Sequence, residues 1–215
     1  MDSYKEKENC RKLSEAEKKR KAEFEALSSK LETQGYKKKD LTVGIMFANI
    51  MTFVIAAPFI GLFTFWFLMK NQNTGFSHNS IGNQNVFLLF IVLIFIHELL
   101  HGAVWAAFAK NHWKSISFGF MMKYLTPYCT CKEPLKKNEY ILGGLMPTLC
   151  LGILPAIISI YTGSDFIFHM SMIMILCGGG DILIVLKLIL HENQNSQNTI
   201  YIDHPYQAGL VMFER

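Results

Sequence analysis

The chain has 215 residues, of which 51% are hydrophobic and 18% charged, with a formal net charge of +4. So modest a charge excludes a nucleic-acid partner held by a strong basic field. The five cysteines (Cys10, Cys129, Cys131, Cys150 and Cys177) are odd in number and scattered, which excludes a disulfide framework.

Residues 1–40 carry more than half of the 21 Lys and Arg, nearly balanced by Glu and Asp. Residues 11–34 place Leu13, Ala16, Phe24, Leu27 and Leu31 on a rough helical stripe. This predicts a cytoplasmic helix lying on the membrane or on a partner, with Gly35 as its stop. No short apolar core followed by a small-residue cleavage site is visible, so the first apolar helix is expected to act as an uncleaved insertion signal.

After Lys39 come long stretches without charge: Gly44–Met69, Val86–Ile96, Ile141–Ser164 and Phe166–Gly180. A spanning helix needs about 20 apolar residues. Four spans are therefore predicted, at about 44–69, 86–109, 140–161 and 166–189.

The second span contains His97, Glu98 and His101 within Ile96-His97-Glu98-Leu99-Leu100-His101-Gly102. An acidic group at a helix centre costs about 2.5–3.5 kcal/mol on insertion scales, so retained ionisable groups in hydrocarbon point to a use. The spacing is that of the H-E-x-x-H zinc motif. Four residues turn a helix by about 400°, so both imidazoles share a face about 6 Å apart in rise and can reach one Zn²⁺. Glu98 is rotated away from chelation and placed to take a proton from an activated water.

The loop 110–139 alternates Ser115, Ser117 and Gly119 with Ile116, Phe118 and Phe120, a period of two that predicts a short β-hairpin beside or dipping into the membrane. Its edge is a template for an extended peptide. Cys129 and Cys131 form a C-x-C in the same loop, open to a redox or metal role. Gly143, Gly144 and Pro147 open the third span, where close packing or a kink is expected.

A catalytic zinc needs a third protein ligand, an Asp, Glu or His at compatible depth. Asp181 in the fourth span is the strongest candidate, directly after Gly178-Gly179-Gly180. Three glycines suit a helix that opens or that another backbone approaches closely. Of the other histidines, His78 and His169 fall on the outer side, and His112, His191 and His204 on the cytoplasmic side. His204, in Asp203-His204-Pro205, can fold back toward the site.

Lys and Arg cluster in 1–40, in 110–139 and in the tail from Lys187, and are absent from 71–85 and 162–165. Positive loops stay inside. The expected fold is a mainly α membrane protein: about four transmembrane helices, a small β-hairpin between the second and third, and an N-terminal cytoplasmic helix. The expected division is 1–40 as a charged helical segment, 41–190 as the membrane domain and 191–215 as a cytoplasmic tail. The expected location is the cell membrane, multi-pass, with both termini cytoplasmic.

Together, His97-Glu98-Leu99-Leu100-His101-Gly102, the aromatic loop ending near Pro134-Leu135, Gly143-Gly144 and Gly178-Gly179-Gly180-Asp181 resemble the zincin peptidase family, over roughly residues 86–190. That family is similar in layout to site-2 proteases, the intramembrane zinc metalloproteases. The resemblance implies His97, His101 and Asp181 as zinc ligands and Glu98 as the base. One departure stands out: site-2 proteases usually follow the aspartate with glycine, whereas here Ile182 follows and the glycines precede. The expected activity is zinc-dependent hydrolysis of a membrane protein or peptide within or at the edge of the bilayer. The competing expectations are a divalent-metal transport or sensing protein and a catalytically inactive membrane scaffold.

Overall fold

The computed structural model describes residues 13–72, 85–121, 126–191 and 198–215. Cys10, His78, the hairpin tip at 122–125 and most of the 71–85 connection lie outside the described residues. Helix α1 spans Glu15–Thr33. Its start is a capping box: the Ser14 hydroxyl accepts from the Glu17 amide at 3.3 Å, and the Ser14 amide donates to the Glu17 carboxylate at 2.8 Å. The chain leaves the helix through Gly35 at φ +88°, a conformation that glycine adopts without steric cost. Strand β1 follows at Lys37–Asp40.

Helices α2 (Ile45–Lys70) and α3 (Asn85–Phe108) match the first two predicted spans. The third is one continuous rod: α4 (Lys137–Pro147), a π-helical stretch (Thr148–Ile153) and α5 (Leu154–Thr162). Among the described residues, three helices are long and apolar enough to cross a membrane: Ile45–Lys70, Val86–Phe108 and Lys137–Thr162. The fourth predicted span is two helices, α6 (Asp165–Cys177) and α7 (Gly179–Leu190), bent by 45° at the break.

The glycines explain how the rods approach at that break. A Cβ on Gly178 would fall 1.9 Å from the Thr148 hydroxyl, and one on Gly179 would fall 2.8 Å from the Thr52 carbonyl. The close approach expected of this triplet is therefore found at its first two members, and it brings α7 against α2 just before Asp181.

The predicted hairpin is present as β2 (Ile116–Met121) and β3 (Thr126–Cys131), antiparallel from Ile116↔Cys131 to Met121↔Thr126. It rests on α3, where Gly102 makes room: a Cβ there would meet the Phe118 ring at 2.8 Å.

The tail folds as well. β4 (Ile200–Asp203) and β5 (Leu210–Glu214) join β1 in a three-stranded antiparallel sheet of order β1-β5-β4. Central β5 is buried on both faces. Leu210 and Met212 join Trp105, Tyr140 and Leu188 of the bundle, while Val211 and Phe213 join Phe24 and Leu31 of α1. A strand covered on both sides needs no polar alternation, so its apolar run lacks the period-two signature of a half-exposed strand. The terminal segments thus form one layered unit against the bundle.

Candidate metal centre

His97 and His101 project from consecutive turns of α3, and Asp181 from the first turn of α7. His97 Nε2 lies 3.1 Å from Asp181 Oδ2 and 3.2 Å from His101 Nε2, and His101 Nε2 lies 3.4 Å from the same carboxylate oxygen. Among the described residues these three form the group whose ligand atoms could hold one metal ion. The spacing fits zinc. Tetrahedral ligands at 2.0–2.1 Å stand about 3.3–3.4 Å from one another, close to the observed triangle. Two neutral imidazoles and a carboxylate are also a donor set that zinc accepts.

The two histidines are held differently. His101 Nδ1–H donates to the Gly143 carbonyl at 2.8 Å, which fixes the tautomer and leaves Nε2 as an electron-pair donor. That carbonyl is available for a sequence reason. Pro147 has no amide hydrogen to offer the residue four positions back, which is Gly143. The imidazole of His101 then stacks on Trp105 at 5.2 Å, and Trp105 on Tyr140 at 5.5 Å. A Cβ at Gly143 would lie 2.0 Å from the Trp105 indole nitrogen, so this stack requires glycine there. His97 Nδ1 is buried with no hydrogen-bond partner among the described residues, so its ring lacks the outer anchor that His101 has and is oriented by packing and by its Nε2 contact with Asp181.

Glu98 faces a cavity of about 240 Å³ that the metal cluster also lines. Its carboxylate lies beside the backbone amide of Cys129 on β3. The cavity walls include Thr52 of α2, Tyr128 of β3, Glu17 of α1 and the turn 203–209 of the tail. The terminal segments, read from sequence as peripheral, therefore shape the site.

The structure brings His97, Glu98, His101 and Asp181 together. His204 folds back to line the same cavity but stays outside the metal group; its Nδ1 accepts from the Gln207 amide at 3.0 Å. His112 and His169 hydrogen-bond carbonyls of their own helical neighbourhoods. Burial pushes the Cys131 thiol up to about 12 and the Cys129 thiol higher still, with Asp203 adding to both. The two cysteines pack as small apolar groups behind the hairpin.

Sequence reasoning did not single out Trp105, Tyr140 or Asp203. Tyr140 donates its hydroxyl to Asp203 Oδ1 at 2.6 Å, and the Cys131 amide donates to Asp203 Oδ2 at 2.8 Å. A legible signal for the support of His101 was available in the four-residue interval between Gly143 and Pro147.

Residues 90–196 match the model of a family described as "putative zincin peptidase". Over this segment, just under half of its length, the chain is similar to that family. The match contains both histidines, Glu98 and Asp181. The match supports a hydrolase of the metalloprotease class. No curated protein and no solved structure matches the chain.

Proposed function

We propose that this chain is a zinc-dependent peptidase that works within or at the edge of a membrane. The observation that carries the reading is the triangle of His97, His101 and Asp181, drawn from two membrane-type helices, with Glu98 beside it. His97 Nε2, His101 Nε2 and Asp181 Oδ2 would hold the ion. Zinc bound there supplies Lewis-acid polarisation of a peptide carbonyl and a water whose pKa falls toward about 7. Glu98, which lines the same cavity, would take a proton from the attacking water and pass it to the leaving amine.

A helical substrate hides its carbonyls and must unwind before cleavage. β3 borders the cavity and offers an edge on which an unwound segment can pair. The shared sheet of β1, β4 and β5 holds both terminal segments on one side of the bundle, which supports an even number of crossings with α6 and α7 as one broken span. The lysine-rich connections favour the cytoplasmic face for that side.

The test is Glu98→Ala in the full chain reconstituted in vesicles. Cleavage of a single-span peptide should fall by about 10²–10⁴-fold while bound zinc stays at one per chain. Undiminished cleavage by this variant would remove Glu98 from the mechanism and the proposal with it.

A further inference from the structure

The edge of β3 beside the cavity is shorter than the strand. Lys132 donates to the Ser115 carbonyl at 2.9 Å, so residues 126, 128 and 130 take the hydrogen-bonded positions against β2. Backbone groups of Pro127, Cys129 and Cys131 then point the other way, toward the second edge. No other strand pairs with that edge among the described residues. Pro127 has no amide to offer. The Cys129 amide lies beside Glu98. The Cys131 amide is taken by Asp203 Oδ2 at 2.8 Å.

Asp203 is itself firmly held. It ends β4 and pairs with Leu210 of buried β5. Tyr140 donates to its other oxygen at 2.6 Å, and Tyr140 stacks on Trp105, which stacks on His101. A continuous chain of contacts therefore runs from the obstruction on the edge to a ligand of the metal triangle.

We propose that Asp203 is a positioning residue that closes the edge of β3 at Cys131, so that an extended substrate segment pairs only alongside residues 127–129, at a set distance from the metal triangle. Asp203 is in effect a stop: it determines which peptide bond lies over the cluster, and it selects substrates whose unwound segment is short. This inference rests on the peptidase reading. The stop itself is a property of the strand edge and can be measured without turnover.

The experiment uses the full chain, zinc-loaded, in phosphatidylcholine vesicles, comparing wild type with Asp203→Ala and Tyr140→Phe. The first readout is amide hydrogen exchange. In Asp203→Ala the Cys131 amide should exchange at least about tenfold faster, while the Thr130 amide, directed at β2, and the zinc stoichiometry stay unchanged. The second readout is the set of bonds cut in a single-span peptide with an extended Thr/Val juxtamembrane segment. Wild type should cut one dominant bond. Asp203→Ala should spread cleavage over neighbouring bonds and raise KM several-fold, with kcat held within about threefold, a split that general loss of fold would not produce. Tyr140→Phe, which removes a single hydroxyl, should shift both readouts the same way by less, and it carries the test if Asp203→Ala does not fold. Unchanged Cys131 exchange overturns the stop, and an unchanged cut position overturns its role in substrate placement. A zinc-loaded wild type that cuts nothing overturns the peptidase reading instead, and the exchange data then decide the stop alone.

Discussion

Phe95 on α3 and Phe213 on β5 are the same residue type in opposite circumstances: Phe95 is 68% exposed and Phe213 is 0% exposed. The contrast extends to their surroundings. In the most apolar windows of α2 and α3 only 17% of residues are buried, and Phe53, Phe65 and Phe87 face outward. Leu210, Val211, Met212 and Phe213 are each at most 1% exposed. The bundle exposes long apolar helices and supplies the three residues that could hold a metal ion. The terminal layer has a closed core of the kind that folds in water, and it supplies walls of the cavity. Lys187 bridges them, donating to the Thr42 carbonyl at 2.8 Å.

The largest expected effect falls on the bundle side. His101→Ala removes a ligand and should take bound zinc from one per chain to near zero, as read by elemental analysis of the purified protein, while circular dichroism keeps its helical signal. On the layer side, Phe213→Ala opens a cavity at the heart of the terminal sheet and should cost about 3–5 kcal/mol. That loss should appear as protease sensitivity of α1 and the tail, with the bundle helices resistant. If α1 and the bundle lose protection together, the two regions are one cooperative unit and the contrast fails.

A smaller effect comes from pH. Burial raises the Asp203 carboxyl from its ordinary 3.8 to about 6, against the pull of its hydrogen bonds from Tyr140 and Cys131; His101, Arg20 and Cys129 also bear on this carboxyl. The folded chain therefore holds this proton more tightly than the unfolded chain between about pH 4 and 6. Stability should fall as pH rises through that window, by at most about 3 kcal/mol. The comparison is between the melting temperatures of wild type and Asp203→Asn across pH 4–7. Their difference should change through the window and level off above it.

The smallest effect is local to the bundle. Pro147→Ala restores an amide that competes with His101 for the Gly143 carbonyl, and it should weaken zinc affinity about tenfold in a chelator titration. An unaltered affinity would mean that His101 is held by its stacking on Trp105 rather than by that carbonyl.

What the sequence disclosed follows the same division. The three long apolar helices were legible because a long apolar run has few alternative meanings, whereas the break in the fourth predicted span was not. His97, Glu98 and His101 stood out against that background, and the glycine triplet marked Asp181. The hairpin was legible because Ile116, Phe118 and Phe120 alternate with small residues. The terminal sheet was not. β1 is Lys37-Lys38-Lys39-Asp40, which reads as a charged flank, and β5 is apolar at four successive positions because both of its faces are covered. Asp203 was illegible for a related reason: its partners Tyr140 and Cys131 lie more than sixty positions away, and no local spacing announces them.

One consequence concerns the order in which the molecule is assembled. Lys37 pairs with Glu214, so the first strand of the terminal sheet has no neighbour until the whole stretch between them has been synthesised. The triangle, by contrast, needs nothing beyond α7. During biosynthesis the residues that could hold a metal ion are therefore complete before the tail turn that lines the same cavity is made.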